Sequence, residues 1–445
     1  MPGDRRSART GLAAAAVVCL VLFARLAAVY GVLGRSEGDA WIGWVMAPDS
    51  RDYVYMADDL SDGRLDSVSF RTPIYPLLIA LTQHLLSKRW LATILVQQIA
   101  VALTAAACWS IVAGRSGRTA ASVAAIAYMV CPLAIIESVV LLPDILLGMA
   151  VAWAGVLWLR ALDAPPGRRR IVPSALSGLL LGAATLVKPS VFLLLLVPPA
   201  QLLVTRGIPG RDKVLTGAAV VLAALCLPVA WRVGNLVRFG SPFLTTQDSF
   251  ELAGRFLVLS GRDTQESFWL RRADSLEMIA ASGPIVYEDL ACTKVPQGWA
   301  GLGGGRFCPS VDIARRDSLF RSIAVSTFMQ APLRIIAGHF DRWPWFLANP
   351  VGDLGRAGGS PALRAAVRSG SMAFQIALAA GALLALLRRG VRTRASRLLV
   401  FSALTFVVVA TVTGPLAGTR YSLPFYWALV SVAACGWTGA KAGRQ

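Results

Sequence analysis

The chain has 445 residues, of which 56% are hydrophobic and 16% are charged, and its mean hydropathy is +0.59. Soluble domains carry about a quarter charged residues, so a soluble globular protein is excluded. The formal net charge of +19 could suit nucleic acid. The basic residues lie mainly in short segments between long apolar runs, however, which argues against a nucleic-acid partner and is typical of membrane proteins.

Apolar runs long enough to cross a bilayer recur along the chain. A helix needs about 20 apolar residues to span the hydrocarbon, and its backbone polar groups are then satisfied internally. The number of runs, about ten, predicts an all-α polytopic integral membrane protein. The predicted spans are residues 11–33, 91–113, 119–137, 140–160, 171–188, 190–205, 214–232, 371–387, 398–415 and 421–438.

The basic residues orient these spans. Arg5, Arg6 and Arg9 precede the first run, which we interpret as a retained signal anchor because no small-residue cleavage site ends it. Strict alternation then places a basic cluster on the cytoplasmic side after every second span. These clusters lie at 115–118, 160–170, 206–213, 388–394 and 441–444. The pattern predicts a multi-pass protein of the inner (plasma) membrane with both termini in the cytoplasm.

Two extracytoplasmic segments are too long to be simple connections. The predicted organisation is a signal-anchor helix over 1–34, a first extracytoplasmic loop over 35–90, a transmembrane core over 91–232, a second large loop over 233–367 and C-terminal transmembrane helices over 368–445. The first loop contains apolar stretches such as Tyr75–Ala80, which are expected to form helices at the membrane interface.

Five of the seven cysteines fall in apolar runs, where cysteine behaves as a small hydrophobe. The other two, Cys292 and Cys308, lie in the second large loop, and an oxidising compartment would allow them to form a disulfide. Two free thiols are the alternative. The two histidines, His84 and His339, have no metal-ligand spacing around them, which argues against a histidine-built metal site.

Polar motifs follow one another along the predicted extracytoplasmic segments. The first loop contains Asp49, Tyr53, Ala57, Leu60 and Gly63 at the spacing Asp-x-x-x-Tyr-x-x-x-Ala-x-x-Leu-x-x-Gly. The later motifs are Arg71-Thr72-Pro73-Ile74-Tyr75-Pro76, Leu142-Pro143-Asp144, Leu186-Val187-Lys188-Pro189, Trp231-Arg232-Val233-Gly234-Asn235, Phe239-Gly240-Ser241-Pro242 and Arg420-Tyr421-Ser422-Leu423-Pro424. No single motif is specific, but their order and side of the membrane are informative together.

This series resembles the GT-C membrane glycosyltransferases. The similarity is greatest to the branch that contains the dolichyl-phosphate-mannose protein mannosyltransferases and the aminoarabinose transferase of lipid A. The resemblance implies transfer of a sugar from a polyprenyl-phosphate donor on the extracytoplasmic face. The acceptor is a lipid, a polysaccharide or a protein, and membrane lipids surround the enzyme. The chain departs from the larger protein mannosyltransferases because no soluble domain follows its last span.

The resemblance also assigns candidate roles. Asp49 matches the position of the family's catalytic acid, which as a base would take the proton of the acceptor hydroxyl during an inverting transfer. Asp52 is the fallback, since residues three apart share a helix face. Tyr53 stands in the same motif and is a substrate-binding candidate.

Three cations are candidates for binding the donor phosphate, because fixed positive charge stabilises a leaving group that gains negative charge. They are Arg71, Lys188 and Arg420, and Tyr421 lies beside the last of them. Snorkelling to the interface is the alternative role of Lys188 and Arg420.

Asp144 would orient the acceptor or a cation, or would simply begin the helix that follows it. Glu137 is the rival for that role. Some relatives use a divalent metal ion and others do not, so the resemblance leaves a divalent cation and its ligands open.

Three other functions would leave different patterns in the sequence. A transporter or lipid-linked glycan flippase would place polar features near the membrane midplane and often shows inverted repeats, but no repeat is apparent here. A non-catalytic scaffold would not need the acid at Asp49. A ligase of the O-antigen type would concentrate its basic residues in the late loop.

Overall fold

The computed structural model describes residues 3–33, 45–47, 49–63, 71–86, 90–245, 252–253, 256–257, 259–261, 313–340, 361–388, 395–413 and 423–438. All regular secondary structure within these ranges is helical, which confirms the all-α prediction.

The helices of the first half are α1 (Gly3–Leu33), α2 (Ser50–Ser61), α3 (Ile74–Thr82), α4 (Leu91–Met129), α5 (Pro132–Glu137), α6 (Asp144–Asp163) and α7 (Arg168–Val187). A 3₁₀ helix, Pro189–Leu196, follows and leads into α8 (Val197–Val204) and α9 (Gly210–Phe239). The remaining described helices are α10 (Ile313–Gln330), α11 (Pro332–Phe340), α12 (Pro361–Leu387), α13 (Ser396–Thr413) and α14 (Leu423–Thr438).

Six helices in the described ranges are long and apolar enough to cross a membrane. These segments are Ala15–Leu33, Leu91–Met129, Asp144–Asp163, Arg168–Val187, Gly210–Phe239 and Ser369–Leu387. Shorter apolar helices cover Pro189–Val204, Ser396–Thr405 and Phe425–Thr438. The chain is therefore a multi-pass membrane protein.

Helix α4 is two helices joined at a kink. Its 39 residues would extend about 60 Å if straight, roughly twice the thickness of the hydrocarbon. Gly117 breaks it with φ of 85°, a left-handed conformation that glycine adopts without steric cost. The two arms correspond to the separately predicted spans 91–113 and 119–137.

Prolines interrupt two of the predicted spans. The span over 119–137 ends early at Met129, because Pro132 cannot continue the hydrogen-bonding of the preceding helix, and Cys131 is extended with ψ of 120°. The span over 190–205 divides into the 3₁₀ helix and α8, and proline lies at the start of both segments.

The centre of the bundle consists of α4, α6 and α14. Trp158 and Trp427 are fully buried there. Gly155 on α6 makes room for the Trp427 ring, which a side chain at position 155 would overlap. Helix α7 packs between α6 and α9, and the short helices α2 and α3 pack against each other, with α3 also contacting α4 and α7.

Polar contacts divide the bundle into two ends. At one end, Arg115 and Arg397 both bind Asp163, and Arg170 lies 3.8 Å from Asp212. All of these residues stand in or beside segments for which strict alternation predicts one side of the membrane. At the opposite ends of α6 and α7, Asp144 contacts Lys188.

Candidate functional site

The first group of site residues lies at the start of α2. The backbone N–H of Ser50 donates to the Ala47 carbonyl oxygen at 2.9 Å, and the Ala47 N–H donates to Ser50 Oγ at 2.9 Å. This reciprocal pair holds the turn that presents Asp49. Asp49 occupies the N-cap position, yet within the described residues its carboxylate makes no capping bond to the helix. Helix capping therefore does not account for the carboxylate.

Arg71 bridges the two candidate acids. Its Nη2 and Nε donate to Asp52 Oδ2 at 2.5 and 3.2 Å, whereas Nη2 lies 3.7 Å from Asp49 Oδ1. The Arg71 side chain is 10% exposed, and those of Asp49 and Asp52 are 23% and 18% exposed. A partly buried, charge-assisted arrangement of this kind orients the carboxylates more firmly than a surface pair would.

Two tyrosines lie beneath this cluster. The Arg71 guanidinium lies 4.9 Å from the centre of the Tyr53 ring, a cation–π contact. The Tyr53 ring meets the Tyr75 ring edge-on, with centroids 5.2 Å apart. Burial raises the pKa of the Tyr75 phenol well above its ordinary value, and the nearby Tyr53 and Asp144 add to the shift. Tyr75 therefore remains a hydrogen-bond donor.

The second group is the ion pair of Asp144 and Lys188, with Nζ 2.7 Å from Oδ1. Local sequence explains both positions. Pro143 precedes α6 and Asp144 stands in its first turn, where the helix dipole favours a carboxylate. Pro189 forces Lys188 into an extended conformation, with φ of −156° and ψ of 116°, so α7 ends and the lysine turns toward Asp144.

This second pair is more deeply buried than the first. Asp144 is 1% exposed and Lys188 is 9% exposed. The second carboxylate oxygen of Asp144, Oδ2, is buried without a hydrogen-bond partner among the described residues. A buried polar atom in that state is costly unless a ligand or water completes its bonding. Glu137, the rival residue, is also buried, at the end of α5.

A network of buried polar side chains, which the sequence motifs did not reveal, packs against the two groups. Tyr75 Oη donates to Gln97 Oε1 at 2.6 Å, and Gln97 Nε2 donates to the carbonyl oxygens of Ser138 and Val140 at 3.0 and 2.8 Å. Gln98 Nε2 donates to the Ser138 carbonyl oxygen at 2.9 Å. Two adjacent glutamines inside an apolar span were the signal that could have revealed it.

Arg25 of α1 extends this network. Its guanidinium donates to Gln98 Oε1 at 3.0 Å, to Ser138 Oγ at 2.7 Å and to the carbonyl oxygens of Met129 and Ala134 at 2.9 and 3.3 Å. The Met129 carbonyl belongs to the last turn of α4, where carbonyl groups have no intrahelical partner, and Ala134 belongs to α5. An arginine within the first apolar span was again a signal in the sequence.

The structure thus brings Asp49, Asp52, Tyr53 and Arg71 together in one cluster and Asp144 and Lys188 in another. Lys188 does not extend to solvent as snorkelling would require. Arg420, Tyr421 and the two cysteines Cys292 and Cys308 lie outside the described residues. No group of three or more His, Cys, Asp or Glu side chains within the described ranges has the arrangement of a metal site.

One known protein family matches part of the chain. The family model described as dolichyl-phosphate-mannose-protein mannosyltransferase matches residues 71–231. This part of the chain resembles that family. The resemblance to this family that the motifs indicated is therefore confirmed for residues 71–231. Arg71, Asp144 and Lys188 lie within the matched residues, whereas Asp49, Asp52 and Arg420 lie outside them.

Among solved structures, the chain is similar to ArnT from Cupriavidus metallidurans, crystallised with undecaprenyl phosphate. The two chains are 15% identical, the TM-score is 0.42, and the alignment covers 96% of this chain and 77% of ArnT. No curated protein matches the chain significantly.

Proposed function

We propose that the protein transfers a monosaccharide from a polyprenyl-phosphate donor to a hydroxyl group of a cell-envelope acceptor on the extracytoplasmic face of the plasma membrane. One observation carries the proposal. A pair of carboxylates, bridged by Arg71 and partly exposed, lies at the end of a membrane helix bundle whose residues 71–231 resemble the mannosyltransferase family. Such a site suits chemistry between a lipid-linked substrate and a water-borne or lipid-borne acceptor.

Asp49 is the proposed base. During transfer, the acceptor oxygen forms a bond to the anomeric carbon while the bond from that carbon to the phosphate oxygen breaks. The hydroxyl proton passes to the Asp49 carboxylate, and the electron pair leaves with the polyprenyl phosphate. A single displacement of this kind inverts the configuration of the sugar.

The contacts of Arg71 support Asp49, rather than Asp52, as the base. Asp52 Oδ2 accepts two hydrogen bonds from Arg71, and these bonds occupy its lone pairs and fix the direction of the guanidinium. Asp49 Oδ1 is 3.7 Å from the same guanidinium. We therefore assign to Asp52 the orientation of Arg71, and to Asp49 the proton transfer.

Arg71 and Lys188 are the described cations proposed to stabilise the departing phosphate. Positive charge held in place before the reaction stabilises a developing anion without reorganisation. A lysine ammonium has three N–H donors, so its bond to Asp144 is compatible with a contact to phosphate. Asp144 Oδ2, buried without a described partner, is the proposed acceptor of a hydrogen bond from a substrate hydroxyl.

A direct test uses the purified protein in lipid with a panel of radiolabelled polyprenyl-phosphate monosaccharides and a cell-envelope extract. We expect transfer from one donor by the wild type and none by Asp49→Asn. Asp59→Asn, an acid on the same helix that the mechanism does not use, is the matched control and should transfer normally. Near-normal transfer by Asp49→Asn would contradict the role of Asp49 as base. Absence of transfer, donor hydrolysis and donor binding in the wild type would contradict the proposed function.

A further inference from the structure

Two parts of the proposed site belong to different segments of the chain. Asp49, Asp52 and Arg71 stand on and beside α2 and α3, whereas Asp144 begins α6. Short helices such as α2 and α3, of 12 and 9 residues, are not stable by themselves. Their placement relative to α6 must therefore come from tertiary contacts.

One side chain contacts both parts at once. Gln97 of α4 accepts a hydrogen bond from Tyr75 of α3 at 2.6 Å. Its amide nitrogen donates to the carbonyl oxygens of Ser138 and Val140, which lie in the connection that leads to Asp144. Gln97 has no exposed surface, so each of these bonds replaces one that water would make.

A backbone hydrogen bond also joins these two parts of the site. The N–H of Leu141 donates to the Val45 carbonyl oxygen at 2.8 Å, which ties the connection before Asp144 to the backbone just before Asp49. The bonds of Gln97 to Ser138 and Val140 hold the same connection from the side of α4. Together these contacts fix the positions of the segment before Asp49, helix α3 and the start of α6 relative to one another.

We propose that Gln97 is a positioning residue of the transfer reaction, which sets the geometry of the Asp49–Asp52–Arg71 cluster relative to the Asp144–Lys188 pair through Tyr75 and the 138–140 backbone. The route is continuous. Gln97 fixes Tyr75, the Tyr75 ring packs edge-on against Tyr53, and Tyr53 lies under the Arg71 guanidinium that holds both acids. The inference rests on the proposed function, because the site whose geometry it concerns is the proposed transferase site.

Gln98 provides a matched comparison on the same helix. It is equally buried and also donates to the Ser138 carbonyl oxygen, but its side-chain oxygen accepts from Arg25 rather than from Tyr75. Loss of Gln98 therefore weakens the packing of α1 and α4 without releasing Tyr75. Any general effect of removing a buried amide should therefore appear both when Gln97 is substituted and when Gln98 is substituted.

The test compares Gln97→Leu, Gln98→Leu, Tyr75→Phe and the Gln97→Leu/Tyr75→Phe double variant in the transfer assay. Gln97→Leu and Tyr75→Phe should each lower the rate at saturating donor about 10- to 100-fold, with half-saturating donor concentration nearly unchanged, as expected for misaligned reacting groups. The double variant should be no slower than the slower single variant, because both substitutions remove the same Tyr75–Gln97 hydrogen bond. Multiplying effects, an unchanged rate, or an equal loss in Gln98→Leu would overturn the proposal.

A second measurement does not depend on activity. Amide hydrogen exchange over residues 50–61 should accelerate in Gln97→Leu and Tyr75→Phe but not in Gln98→Leu, because α2 loses its support only in the first two. If the wild type neither transfers the sugar nor binds or hydrolyses the donor, the proposed function fails, and this exchange comparison alone decides the positioning role. Equal exchange in all variants would overturn it. Should Gln97→Leu fail to fold, Tyr75→Phe, which removes a single hydroxyl, decides in its place.

Discussion

Lys188 Nζ lies 2.7 Å from Asp144 Oδ1, and this ion pair joins the residue that follows α7 to the first turn of α6. Both residues are largely buried, so water can compensate little for the loss of either partner. The stability of this arrangement therefore depends on the presence of both residues. Each residue is tolerated because the other is present, so removing one should cost more stability than removing both.

Lys188→Met should destabilise the protein strongly. The substitution keeps most of the side-chain volume but leaves the Asp144 carboxylate buried without its cation, a change that costs about 3–5 kcal/mol in comparable sites. The double variant Lys188→Met/Asp144→Asn should recover much of this loss, since no uncompensated charge remains. Thermal unfolding in lipid or detergent measures both. A double variant as unstable as the single one would show that packing, not charge, holds these helices.

Arg71→Lys should lower the transfer rate almost as much as Arg71→Gln. Arginine reaches Asp52 through two nitrogens and lies within 3.7 Å of Asp49, and a lysine ammonium cannot reproduce that fork. We expect both variants to lose about 100-fold in transfer rate, as preorganised electrostatic groups typically do. Steady-state transfer assays with equal amounts of folded protein make the comparison. Near-normal transfer by Arg71→Lys would indicate that only the charge is needed.

Substitution of Asp49 and of Asp52 should lower the transfer rate to different extents in the same assay. Asp49→Asn is expected to lower the transfer rate by at least about 100-fold, the usual contribution of a general base. Asp52→Asn should cost less, because an amide oxygen still accepts a hydrogen bond from Arg71. The reverse order of effects would transfer the role of base to Asp52.

Close packing of α7 against α9 depends on two glycines. A side chain at Gly178 would overlap the backbone at Val220, and one at Gly182 would overlap the backbone at Ala224. Gly178→Ala should therefore push the helices apart and lower the thermal stability, by about 1–3 kcal/mol.

Gly217 provides the control for this prediction. It lies on α9, and an added Cβ there would meet Leu202 Cδ2 at an ordinary 3.6 Å. Gly217→Ala should leave stability unchanged or raise it slightly, because alanine favours a helix over glycine by about 1 kcal/mol. Equal melting temperatures for Gly178→Ala and Gly217→Ala would contradict the close approach of the two helices.

The membrane sidedness proposed from the basic clusters is also testable. With the C-terminus in the cytoplasm, a C-terminal green fluorescent protein fusion should fluoresce and a C-terminal alkaline phosphatase fusion should be inactive. Active phosphatase would invert the topology and move the acid cluster to the cytoplasmic face.

The sequence by itself determined the class of this protein and most of its membrane helices. Long apolar runs have one stable form in a bilayer, because a helix satisfies its own backbone, and basic residues mark their ends. Through the resemblance of their motifs to those of the GT-C glycosyltransferases, it also indicated six candidate residues: Asp49, Asp52, Tyr53, Arg71, Asp144 and Lys188.

Only the tertiary structure decided which of these side chains meet. Arg71 lies 19 residues after Asp52 and Lys188 lies 44 residues after Asp144, and pairing over such separations depends on how the helices pack. The interruptions at Pro132 and Pro189 and the kink at Gly117 likewise set where helices end and turn. Gln97 gained its importance in the same way. In the sequence it is one polar residue in an apolar run, and its role follows from the three groups that packing brings to its amide.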